Sequence, residues 1–237
     1  MLLLFDIDLT LLTTNGAGMQ AMAAAGRDLH GPSFTADGVA FAGRLDPLII
    51  DDLLRTNGVE PTPARAAAFR RAYAERLAAW FAGGAGAKAL PGVHDLLGAL
   101  RERRAREPSL ALGVLTGNFE ETGVLKLRAA GIDDAHFDVR VWGDASPSTP
   151  PRRSDLVPVG IRAYERARRA TVPPSRVVVL GDTEHDVHAA RAHGCRALGV
   201  ATGRTPAPAL AEAGADAVLD DFSDVPRVLR TLDALVG

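Results

Sequence analysis

The sequence predicts an α/β protein: a doubly wound parallel sheet, interrupted near its start by an all-helical module. Three observations predict it. A short, wholly apolar N-terminal run ends in acidic residues; apolar runs alternate with helical patterns from position 88 to the C-terminus; and the stretch between carries only helical spacing. Strands joined by crossover helices pair in parallel, and strands buried on both faces read as continuous apolar runs.

The first strand is Leu2-Leu3-Leu4-Phe5, running into Asp6-Ile7-Asp8-Leu9-Thr10. In open α/β sheets ligands bind just beyond the carboxyl ends of strands, which is where these acids fall. On an extended chain the spacing of Asp6 and Asp8 turns both carboxylates to one side and Ile7 back into protein. Carboxylates so close repel and call for a divalent cation, a shared proton or a nearby base. The same D-x-D-x-T pattern also suits a polar strand end that caps a helix.

From Asn15 to about Gly84 the chain is rich in Ala, Arg and Leu. Its periodicity predicts helices near Gly18–His30, Pro47–Thr56 and Pro63–Phe81, with a loop over Phe34–Asp46. Thr13–Gly16 and Gly83–Lys88 read as hinges, so a helical unit over residues 15–87 is set into a core made of residues 1–14 and 88–237. Pro91-Gly92 then opens a helix to about Arg106. Ser109–Leu115, Phe137–Trp142, Arg176–Leu180, Ala197–Val200 and Ala217–Leu219 read as strands. Asn118–Ala130, Asp155–Ala170, His185–His193, Pro206–Ala213 and Val225–Leu235 read as the helices that follow them.

Composition bounds the function. With 237 residues, 47% of them hydrophobic, the chain supports a sizeable core and is not disordered. A formal charge of −2 argues against bulk electrostatic binding of nucleic acid. No apolar run approaches a membrane span, and Asp6 and Asp8 interrupt the N-terminal run before a secretory core could form. The single cysteine, Cys195, excludes an intramolecular disulfide and favours a reducing compartment, so a cytoplasmic protein is expected.

Three further segments carry polar residues at strand ends or helix starts. Thr116-Gly117-Asn118 places a hydroxyl, an unhindered amide and an asparagine at a helix start, which suits an anion or a simple cap. Gly181-Asp182-Thr183-Glu184-His185-Asp186 offers the oxygen ligands that hard cations such as magnesium prefer. Arg152 and Arg153, in the loop Ser146–Ser154, bring positive charge. A single parallel sheet gathers Asp6, Asp8, Thr116, Asp182 and Asp186 at one edge.

In these residues the chain resembles the haloacid dehalogenase-like hydrolases. Phe5-Asp6-Ile7-Asp8-Leu9-Thr10 matches the first motif, Leu115-Thr116-Gly117-Asn118 the second, and Leu180-Gly181-Asp182-Thr183-Glu184-His185-Asp186 the fourth. The third, usually lysine, falls at Arg153, preferred over Arg152 because Arg153-Ser154-Asp155-Leu156 begins a helix. The resemblance implies a Rossmann-like core with a helical cap and a magnesium-dependent phosphatase similar to phosphoglycolate phosphatase. Asp6 would be the nucleophile and Asp8 the general acid and base. Mg2+ would be held by Asp6, the backbone carbonyl of Asp8, and Asp182, with Asp186 and Thr10 in support. Thr116, Gly117, Asn118 and Arg153 would bind the phosphoryl group. Dehalogenating relatives lack the second acid, so Asp8 points to phosphoryl transfer. Phosphonate-cleaving relatives need a cap lysine, whereas Lys88 sits at the hinge. In the cap, Arg44 would touch an anionic or hydroxylated leaving group, or else pair with Asp46. The histidines read as surface or capping residues, His185 alone lying within the acidic turn. The partner implied is a small phosphorylated metabolite, with no nucleic acid or membrane, for a monomer or homodimer. Two other functions stay open: a phosphomutase of the β-phosphoglucomutase type, and a phosphoacceptor or binding module, against which an enclosing cap counts.

Overall fold

Leu2–Phe5, β1, is fully buried because a strand flanked on both sides has no face left for water. The computed structural model describes residues 1–84 and 86–237; Ala85, inside the expected hinge Gly83–Lys88, lies outside the described residues. After β1 come β2 (Leu12–Thr13), α1 (Ala17–His30), α2 (Asp46–Thr56) and α3 (Pro63–Ala82). The chain returns through β3 (Lys88–Ala89) and then alternates: α4 (Val93–Arg106), β4 (Ala111–Leu115), α5 (Glu120–Ala129), β5 (Val139–Val141), α6 (Leu156–Arg168) and β6 (Val177–Gly181). It ends with α7 (Glu184–Arg191), β7 (Arg196–Val200), α8 (Ala207–Glu212), β8 (Ala217–Leu219) and α9 (Val225–Val236).

Six strands form one parallel sheet in the order β5-β4-β1-β6-β7-β8. The chain fills one side of β1 with β4 and β5, then crosses to the other with β6, so the order reverses next to β1. That reversal opens a crevice at the carboxyl ends, where α/β folds bind ligands. Alternation along β1 sends Leu3 and Phe5 to one hydrophobic layer and Leu2 and Leu4 to the other. A third cluster lies within the helical segment, where Ala17, Ala21 and Ala25 of α1 face Phe69, Tyr73 and Leu77 of α3. Phe119 joins this cluster from the sheet side.

Three local expectations are corrected. The first strand is Leu2–Phe5, as read, but the chain beyond it is not extended: from Ile7 to Leu12 it coils into a turn. The helix expected from Asn118 begins at Glu120, and Arg153–Asp155 form a 3-10 turn ahead of α6. The two crossings between sheet and helical segment are not merely flexible: Leu12 pairs with Ala89 and Thr13 with Lys88 in an antiparallel ladder. Two residues a side is too short for a period of two to register in sequence. Among the described residues no helix is long and apolar enough to cross a membrane.

Candidate active site

Beyond Phe5 the backbone coils around one carbonyl. Ile7 O accepts from the amides of Thr10 at 3.3 Å, Leu11 at 2.9 Å and Leu12 at 3.1 Å, and Leu9 is driven to a φ of 57°. The left-handed region costs a non-glycine residue roughly 1–2 kcal/mol. Leu9 is held there by its amide on Leu12 O at 2.7 Å and by Thr202 Oγ1, which donates to Leu9 O at 2.5 Å. This turn, not an extended strand, separates the two acids. Asp6 is buried, with its amide tied to Leu180 O at 2.9 Å, while the side chain of Asp8 is 38% exposed. Thr10 is wholly buried, and among the described residues its hydroxyl has no partner.

The fourth motif closes on the Asp6 turn from β6. The nearest carboxylate oxygens of Asp6, Asp182 and Asp186 lie within 4.8 Å of one another, all three residues buried. Asp186 has both oxygens committed. Oδ2 accepts from the amide and hydroxyl of Thr183 at 3.2 and 2.7 Å, and Oδ1 accepts from Arg153 Nε and Nη2 at 3.1 and 2.6 Å. Arg153 Nη2 also lies 3.1 Å from Asp6 Oδ1, an ion pair without the alignment of a hydrogen bond, and Nη1 donates to Gly43 O at 3.3 Å. The Arg153 side chain is only 8% exposed, whereas Arg152 faces solvent. Burial drives the Asp182 carboxyl up to about 8, reinforced by Asp186 and Asp6. Asp6 rises to about 6 for the same reason, with Arg153 opposing. Gly203 is required beside Asp182, since a Cβ there would sit 1.7 Å from Asp182 Oδ2.

Asp6 Oδ1, a buried carboxylate oxygen with no hydrogen-bond donor among the described residues, next to a second carboxylate pushed toward neutrality, makes the donor set a hard divalent cation satisfies. Asp6 and Asp182 fit as its ligands, and Asp186 fits behind them, where its bonds orient Arg153.

The second motif does not cap its helix. Asn118 Nδ2 donates to Asp8 Oδ2 and to Thr116 Oγ1, each at 2.8 Å. Thr116 Oγ1 also receives the Asn118 amide at 3.4 Å. With two donors on its oxygen, the Thr116 hydroxyl is left to donate its own proton into the cavity. The first amide of the α5 turn, on Phe119, instead donates to Asp46 Oδ2 at 3.2 Å. Gly117 admits the helical segment: its carbonyl accepts from Asp46 N at 2.7 Å, and a Cβ on it would lie 2.0 Å from Arg44 O.

Arg44 lines the cavity, but its partner is Asp52, at 2.5 Å, and not Asp46. Asp46 is buried, because the first turn of α2 packs into the crevice, and burial lifts its carboxyl to about 7 with Lys126 opposing. His185 packs its ring against Gly43, which has no side chain to obstruct it.

Sequence reasoning missed Lys126. It lies on α5, only 6% exposed, and donates to Asp8 Oδ2 at 2.7 Å and Asn118 Oδ1 at 2.6 Å. Burial opposes its charge, but Asp8, Tyr73 and Asp46 outweigh that and hold the ammonium above the ordinary lysine range. A signal was present: Lys126 is one of two lysines in a chain whose 27 Lys and Arg residues are otherwise arginine. A lysine kept against that bias marks a place where the bulkier guanidinium does not serve.

These groups line a cavity of about 680 Å³. The sheet side contributes Asp6, Asp8, Thr116, Arg153 and Asp182 to its lining, and the helical segment contributes Met19, Met22, Val39, Ile49 and Tyr73.

Comparison with known proteins agrees with this arrangement. The model of haloacid dehalogenase-like hydrolases matches residues 3–191, and a second HAD-hydrolase-like model matches residues 161–225. The phosphoglycolate phosphatase of Pectobacterium atrosepticum is 28% identical over 233 residues, covering 94% of this chain and 89% of that protein. That of Chromobacterium violaceum is 31% identical over 140 residues, covering 59% of this chain and only 56% of that protein. The crystal structure of CbbY from Rhodobacter sphaeroides in complex with phosphate superposes with a TM-score of 0.73 at 26% identity, covering 94% of this chain and 95% of that one.

Proposed function

The chain belongs to the haloacid dehalogenase-like hydrolase family, and on that footing we propose that it is a phosphoric monoester hydrolase that cleaves a small phosphate ester through an aspartyl-phosphate on Asp6. The observation that carries this is the division of labour between two acids two residues apart. Asp6 is buried among Arg153, Asp182 and Asp186, while Asp8 opens to the cavity. A nucleophile needs the first environment and a proton carrier the second.

In the first step an Asp6 oxygen forms a bond to phosphorus as the bond to the leaving oxygen breaks, and Asp8 gives that oxygen its proton, releasing an alcohol. In the second, water attacks phosphorus, its proton passes to Asp8, and the bond to Asp6 breaks to release inorganic phosphate. Thr116 donates its free hydroxyl proton to a phosphoryl oxygen, the Gly117 amide adds a second donor, and Arg153 offsets charge beside Asp6. A magnesium ion would be held by Asp6, the Asp8 carbonyl and Asp182, with Asp186 behind them, and would supply charge neutralisation between carboxylate and phosphate. Phosphoryl transfer asks chiefly for such positioning and charge balance.

Residues 15–87 act as a cap over a core of residues 1–14 and 88–237, and the cavity between them takes a small metabolite. The phosphoglycolate phosphatase relatives favour a short ester such as phosphoglycolate. One buried cysteine, Cys195, suits a cytoplasmic enzyme.

The test is phosphate release from a panel of small esters, with and without magnesium, for the native chain and Asp6→Asn. Sustained release that needs both the metal and Asp6 is expected. Phosphorylation of Asp6 without sustained release would point to a phosphomutase or a phosphoacceptor instead.

A further inference from the structure

Lys126 belongs to none of the four motifs, yet it is the most enclosed cation of the cavity. Asp8 rises from a turn in which its side chain is 38% exposed, so nothing in the backbone fixes its carboxyl. Two donors do. Lys126 Nζ at 2.7 Å and Asn118 Nδ2 at 2.8 Å both fall on Oδ2, and among the described residues no protein donor reaches Oδ1. An ammonium only donates, so the 2.6 Å contact from Lys126 fixes Oδ1 as the side of Asn118 that faces it. The Asn118 amide nitrogen must then point at Asp8 and Thr116. Lys126 thus orders Asp8 directly and again through Asn118.

We infer that Lys126 is a positioning residue for Asp8: by engaging Oδ2 it confines the exchangeable proton to Oδ1, the oxygen facing the leaving group. This rests on the role given to Asp8 above. The proton leaves Oδ1 for the leaving oxygen as its bond to phosphorus breaks, and Oδ2 keeps both donors throughout. The helical segment holds Lys126 in place. A Cβ on Gly18 would lie 3.5 Å from both Lys126 Nζ and the Tyr73 hydroxyl, so α1 and α3 lie against the ammonium, whose side chain is only 6% exposed.

The experiment compares kcat/KM of the native chain and Lys126→Met on p-nitrophenyl phosphate, ethyl phosphate and 2-phosphoglycolate, with magnesium present. p-Nitrophenolate departs without a proton, whereas the two alkoxides need one. General acid catalysis is worth about 100-fold or more, so both alkyl esters are expected to fall by about that factor while p-nitrophenyl phosphate changes little. Retained p-nitrophenyl phosphate activity also shows that the variant is folded. If Lys126→Met does not fold, Lys126→Gln keeps a neutral donor at the same place and is expected to give the same selective loss, reduced in size. An equal loss on all three esters in the variants, or none, would overturn the inference. A loss on 2-phosphoglycolate alone would overturn it too, because Lys126 would then be a carboxylate site. Native chain inactive on every ester, or Asp6→Asn still active, would defeat the phosphatase reading itself.

Discussion

Arg153 is the residue in which this chain departs from the lysine usual to its motif, and geometry gives the departure a use. A guanidinium reaches Asp186 twice, approaches Asp6, and still has a nitrogen for Gly43 O in the helical segment. A lysine ammonium carries the charge without the span. Arg153→Lys is therefore expected to lower kcat/KM by about tenfold to a hundredfold, the loss of one charged hydrogen bond at about 1.5–3 kcal/mol, in steady-state assays. Asp46 carries a pH prediction. Burial raises its carboxyl from 3.8 to about 7, so its protonated form contributes stability that is complete below about pH 4 and lost as pH rises through 7. Thermal melts of the native chain minus Asp46→Asn should drift downward across that window, by up to about 4 kcal/mol. Asp6, Asp8 and Asp182 were legible in sequence because acids directly after apolar runs are conspicuous. Lys126 and Asp46 were not, because each sits in an ordinary helical pattern and acquires its meaning from partners far along the chain.

At the level of elements, every long strand and helix of the sheet was legible, since parallel strands announce themselves as apolar runs. What failed were ends and short pieces. The chain is not extended from Asp6 to Asp8 because Ile7 O draws three amides into a turn, and α5 starts late because Asn118 is spent on Asp8. The contact at Gly117 offers a test of how the elements dock. A Cβ there would meet the Arg44 carbonyl at 2.0 Å, backbone against backbone, so neither side can yield by changing a rotamer. Gly117→Ala should destabilise the fold by about 1–3 kcal/mol and weaken substrate binding as α2 is pushed off, read as a lower Tm and a raised KM.

Across the whole molecule, the two halves are fastened by Arg70 of α3. It binds Glu121 of α5 at 2.5 and 2.8 Å and Asp144 at 2.7 Å, and lies 4.0 Å from the Phe119 ring centroid. Arg70→Ala should speed hydrogen exchange in residues 63–82 while β1 and β6 keep their protection, because their shield is the sheet itself. Magnesium should raise the Tm of the native chain, and Asp182→Asn should abolish most of that gain, since a ligand that binds only the folded state stabilises it by mass action. The sequence disclosed the helical insertion, through its change of period, but not how it is tied on. The ladder Leu12–Ala89 and Thr13–Lys88 brings the outgoing and returning chains to one strand spacing, about 5 Å. Thr13 and Lys88 are thereby the natural cut points for exchanging the insertion, and a replacement has to bring both its ends to that spacing and its own partners for Gly117, Phe119 and Glu121.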